Sequence, residues 1–296
     1  MTLVNLEILS FDMLHHIILF VDIKSLLTIY SISTIFAEFS RLNLRSILCK
    51  ILQRTITRNI QYYDMKQLIE LSKFPFNYVS YHDFDMKNII FSDPTEYNYD
   101  LMRQDQDMVY NIINLQYDYG INDEFIISGC EMESDSGVKQ IMFHPYEVQN
   151  FSMKDAYTLN DCIEAEIKSF DERFINVMNI IYKSCVNILY DNMYQMKMLH
   201  FRKDMPESAG FKNFIIYQID EETYQIIHEK NSNILLKLSR NFQENLIFNN
   251  KHINIEKIRD KKIKFIPFIH IRFLYSKFGS CKLQHEIIGA KILNIS

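Results

Sequence analysis

Through the first 75 residues apolar side chains return every three to four positions, and neither Gly nor Pro interrupts the run before Pro75. That period is the mark of helices with a buried face. It predicts helices over residues 13–20, 26–39, 44–57 and 65–73. In the second, Ile29, Ile32, Phe36 and Phe39 share one side, while Leu26, Leu27, Tyr30 and Ile35 make other sides apolar. A helix apolar most of the way round is expected to be buried against more than one neighbour. Asp22 and Ser25 are its candidate N-caps, since a short side-chain oxygen accepts an orphan backbone N–H. The third is cleaner, with Leu44, Ile47, Leu48, Ile51 and Leu52 opposite Arg45, Ser46, Lys50, Gln53 and Arg54.

After Pro75 the periods mix. Strands are expected at 76–81, 234–238, 246–248 and 263–275, with a helix at 100–115 and a short one at 253–259. Segments 125–132 and 138–144 alternate and read as a hairpin joined through Ser134-Asp135-Ser136-Gly137. Residues 211–219 and 223–229 read as a second hairpin. A long helical stretch is predicted over 159–196, with Phe170, Phe174, Val177, Ile181, Cys185 and Ile188 at helical spacing. Strands and helices in clusters, without βαβ regularity, point to an α+β fold. No internal repeat of 20–50 residues is present.

Composition narrows the class. The 296 residues are 48% apolar and 23% charged, with six Gly and five Pro. That supports a sizeable core and excludes fibrous and disordered chains. Forty-four Ile and 24 Asn against five Ala suggest the codon bias of an AT-rich genome, such as that of a large DNA virus, a protist or a microsporidian. Cys49, Cys130, Cys162, Cys185 and Cys281 include no Cys-x-x-Cys pair, so they are expected to be small buried hydrophobes in a reducing compartment. No secretory leader is expected, because Glu7 and Asp12 interrupt the opening apolar stretch and the first basic residue is Lys24. Asp22 and Lys24 also split residues 13–39 into halves shorter than the ~18 apolar residues of a membrane span. An intracellular protein, cytoplasmic or nuclear, with no membrane partner is the expectation.

The net charge of −5 is unevenly spread. Residues 250–296 hold ten Lys/Arg against Glu256, Asp260 and Glu286, whereas thirteen carboxylates between His82 and Asp135 face only Lys87 and Arg103. The two blocks are expected to neighbour one another in the fold or to be solvated faces.

One segment carries a family pattern. Residues 9–27 read Leu-Ser-Phe-Asp-Met-Leu-His-His-Ile-Ile-Leu-Phe-Val-Asp-Ile-Lys-Ser-Leu-Leu, which resembles the opening of an F-box. Leu9 takes the Leu of the family's Leu-Pro pair, Asp12 the acid, and Met13 and Leu14 the apolar pair. Ile17 and Val21 supply the next apolar spacing, Asp22 the following acid, and Leu26 the first residue after the Ser25 cap. Ile32-Ser33-Thr34-Ile35-Phe36 resembles the Val-Ser-x-x-Trp/Phe that closes the family's second helix, and Leu44 stands near the start of the third. Ser10 occupies the usual Pro position and the chain has no Trp. Proline would pre-set φ for the turn against the adaptor.

The resemblance implies an N-terminal three-helix F-box-like module, residues 1–60, followed by a mixed helix and antiparallel-strand domain, residues 61–296. It implies a non-enzymatic, substrate-recruiting adaptor of a cullin–RING ubiquitin ligase, with a Skp-type adaptor protein and an unidentified protein substrate as partners. Leu9, Ser10, Leu14, Ile17, Ile18, Val21, Leu26, Leu27, Ile32 and Phe36 are the adaptor-binding residues it implies. Burying each large apolar one contributes about 1.5–3 kcal/mol, less the ordering and association costs. The alternative is a non-enzymatic interaction or structural protein whose N-terminal helices are part of one core.

Signals for chemistry are thin. His82-Asp83-x-Asp85, with Asp93 and Glu96 nearby, is the best group of metal-capable side chains, and would suit a metal-dependent hydrolase or nuclease. His15 and His16 would point about 100° apart on a helix and cannot readily share a ligand. The six glycines form no phosphate-binding loop. Lys251 to Lys264, followed by Phe265, Phe268, His270, Arg272, Phe273 and Tyr275, mixes cations and rings as a single-strand nucleic-acid surface would, but a packed strand beside a charged loop explains it as well. The expectation is no cofactor, no resident metal, no catalytic residue, and nucleic acid disfavoured as a partner.

Overall fold

The computed structural model describes residues 71, 74–99, 108–119, 122–143, 158–169, 171–220, 223, 225–227, 230–277 and 279–296. The chain divides into two compact units, Met1–Phe76 and Asn77–Ser296. The helices expected at 13–20, 26–39 and 44–57 lie outside the described residues.

In chain order the second unit runs β1 (Val79–Ser80), β2 (Ile89–Phe91), β3 (Thr95–Tyr99), β4 (Met108–Asp118), β5 (Asn122–Glu124), β6 (Ile126–Ser128), β7 (Met132–Ser134) and β8 (Val138–Phe143). Then come β9 (Thr158–Ile167), α1 (Glu172–Asp191), β10 (Ile215–Ile216) and β11 (Ser232–Lys237). It ends with β12 (Leu246–Phe248), β13 (Lys251–His252), β14 (Ile263–Lys277) and β15 (Ser280–Ile295). One α-helix among fifteen strands overturns the α+β expectation: the described residues form a mostly β fold. Two misread segments account for much of the error. The stretch expected as a helix at 100–115 contains β4, where Asn111, Ile113, Leu115 and Tyr117 are buried while Asn114, Gln116 and Asp118 are exposed, a period of two. The front of the helix expected at 159–196 is β9, with Ile163, Ala165 and Ile167 inside and Glu164 outside. Its rear is α1, which buries Phe174, Val177, Met178, Ile181, Cys185, Val186 and Leu189.

The long β14–β15 hairpin organises the unit. One edge of β14 pairs with β15 throughout, with register shifts after Lys264, Phe268 and Ile271 that bend the strand. Its other edge is tiled by three strands in turn: β7 beside Ile263–Phe265, β6 beside Phe268–His270 and β4 beside Phe273–Ser276. Beyond β7 the sheet continues through β9 to β11 and β10. It then returns on itself: Leu238 forms a parallel bridge to Ile287 of β15, and the Ser239 N–H donates to the Ile287 carbonyl at 2.9 Å. That single bridge brings the run β11–β9–β7–β14–β15 round on itself. β4 carries β2, β3 and β5 as an annex on the far half of β14.

The first expected hairpin is corrected. β6 and β7 pair with β14, and β8 pairs with β9, so the segments at 125–132 and 138–144 are not each other's partners. The second is reduced to an Ile219–Ile226 bridge closed by Asp220, whose Oδ1 accepts from the Thr223 N–H at 2.8 Å. The expected strands at 234–238, 246–248 and 263–275 are β11, β12 and β14, and a 3-10 turn at Ile255–Lys257 stands in the expected short helix. Gly137, at φ +53°, is required where it is: a Cβ there would lie 1.9 Å from the Ile258 carbonyl oxygen.

Candidate functional site

The ten residues expected to bind an adaptor, Leu9 to Phe36, lie outside the described residues. The acidic loop at 82–96 is described, and several of its groups have structural partners. The Asp85 carboxylate accepts from the Lys87 N–H at 3.0 Å and caps the 3-10 turn Met86–Asn88, while its own N–H donates to the Tyr117 hydroxyl at 2.9 Å. The ring of Phe84 lies beside those of Tyr117 and Phe125. Arg173 donates to the His82 carbonyl, and Glu96 pairs with Lys197. The loop is therefore pinned onto an aromatic cluster, and burial pushes the Tyr117 hydroxyl up. Among the described residues no three His, Cys, Asp or Glu side chains lie close enough together to hold a metal ion.

The basic and aromatic stretch also resolves into packing. Phe265 and Phe268 are fully buried and cannot act as stacking platforms. The lysines next to them face the acidic block, as the neighbouring of the two charge blocks implied. Lys264 pairs with Glu131 at 2.7 Å and Lys262 with Asp135 at 2.9 Å. Lys168 joins Glu133 at 3.3 Å to Glu166 at 2.8 Å, and Arg259 reaches Asp161 at 3.3 Å. The alternation of β7 produces this row: Met132 and Ser134 point into the core, leaving Glu131, Glu133 and Asp135 on the outside. The Asp171 carboxyl nearby is raised by burial and by Glu131.

The buried reactive groups are held in their neutral forms. Cys130, Cys162, Cys185 and Cys281 are buried free thiols. Burial pushes all four up, Cys281 to about 12. A thiol so raised is a poor nucleophile. His270, 8% exposed, is lowered to about 4 by burial and by Arg272. It stands opposite Glu286, whose carboxylate pairs with Arg272 at 3.4 Å. His285 is lowered by burial too.

A different surface follows α1. Residues 192–201 fold back so that Met196, Met198 and Phe201 enter the core. The turn is fixed by the Met198 N–H donating to the Met193 carbonyl at 2.8 Å, by the Ser276 hydroxyl donating to the Met196 carbonyl, and by Lys197 at φ +54°. This anchoring leaves Tyr194 (70% exposed) and Leu199 (64%) on the outside, and Tyr190 (44%) and Met205 (49%) are exposed as well. The Lys203 ammonium lies 5.6 Å from the centre of the Tyr190 ring, a cation–π contact. Sequence reading missed this surface. Its one visible signal was that Tyr190 and Tyr194 fall outside the buried helical positions 174, 177, 181 and 185.

Comparison with known proteins finds no protein-family model that matches this chain and no curated protein that matches it.

Proposed function

We propose that the chain is a substrate-recruiting adaptor of a cullin–RING ubiquitin ligase. In this reading the F-box-like residues 9–36 dock on a Skp-type adaptor, and the Asn77–Ser296 unit holds a protein target. The observation that carries it is the division of the chain at Phe76/Asn77. The whole F-box-like pattern falls in one unit and the described strands in the other, which supports this reading.

The protein performs no chemistry of its own on this account. Its service is proximity, because tethering a target raises the effective concentration of its lysines near the ubiquitin-charged enzyme. Among the described residues no helix is long and apolar enough to cross a membrane.

A pull-down on immobilised, purified Skp-type adaptor tests the reading. Wild type is retained, and Leu14→Asp/Ile17→Asp loses at least about tenfold of that retention, because two charges are placed in the apolar contact. Failure of folded wild type to be retained refutes the proposal.

A further inference from the structure

We draw no further inference here: the strongest candidate, the partly exposed face of β4, β14 and β15 on which Phe273 stands in register with Asn114 and Gln284 and Tyr275 with Ile112 and Lys282, carries nothing because its Arg272 is already matched by Glu286 and nothing among the described residues shows what covers it.

Discussion

The outer face of β7 and the turn after α1 are built from similar materials and used differently. Along β7 and its flanks, Glu131 meets Lys264 of β14, Glu133 meets Lys168 just after β9, and Asp135 meets Lys262 just before β14. After α1, Lys203 lies over the exposed Tyr190 ring, and Tyr194 and Leu199 are exposed on the turn that follows. The first surface satisfies itself and has little left to offer a partner. The second leaves large apolar side chains exposed, while Met196, Met198 and Phe201 anchor its backbone in the core. Exposure alone does not separate the two regions. What separates them is whether the fold supplies the complement.

Three perturbations sharpen that contrast. The largest effect belongs to the backbone beneath the charged face. Gly137→Ala forces a Cβ against the Ile258 carbonyl at a positive φ, and should lower the unfolding free energy by at least about 3 kcal/mol in urea titrations. A change below about 1 kcal/mol would show that the 137–138 turn is not locked against Ile258 and Arg259.

The next effect is a pH dependence. His270 has a folded value near 4 against about 6.5 unfolded, so between these values the unfolded chain binds more protons. The stability due to its neutral burial is present above pH 6.5 and is lost as pH falls toward 4. By linkage the loss reaches about 2–3 kcal/mol at pH 4.5. His285, lowered in the same direction, adds to it. His270→Gln should remove the His270 part of this slope between pH 7 and 4.5, and an unaltered slope contradicts the assignment.

The smallest effects compare the two surfaces directly. Lys264→Met breaks a half-exposed pair with Glu131 and should lower stability by up to about 1 kcal/mol, less in high salt. Tyr194→Ser/Leu199→Ser should leave stability within about 0.5 kcal/mol, because those side chains cover nothing of the core. If calorimetry shows the double variant to be the more damaging, the turn after α1 is packing and not display.

Much of the β unit was legible where one face is buried and the other wet. β11, β12, β14 and the buried stripe of α1 follow their periods. β4 and β9 were misread because neighbouring apolar pairs, Ile112-Ile113 and Cys162-Ile163, blur a period of two into a helical one. β15 was not anticipated, since much of it is partly buried on both faces and its sequence does not alternate. Pairing was less legible still, because the partners of β6, β7 and β8 lie 15 (Phe143 and Thr158) to 144 (Ile126 and His270) residues away. The Tyr194–Leu199 surface could not be read at all: which residues of 192–201 turn inward depends on the distant contact between Ser276 and Met196.

Hydrogen exchange of the full chain, alone and saturated with purified Skp-type adaptor, tests the central claim most directly. The account predicts new protection in peptides covering residues 9–36 and unchanged exchange across 190–205. Unchanged exchange at 9–36 in the presence of saturating adaptor, or protection that appears at 190–205 instead, would contradict it.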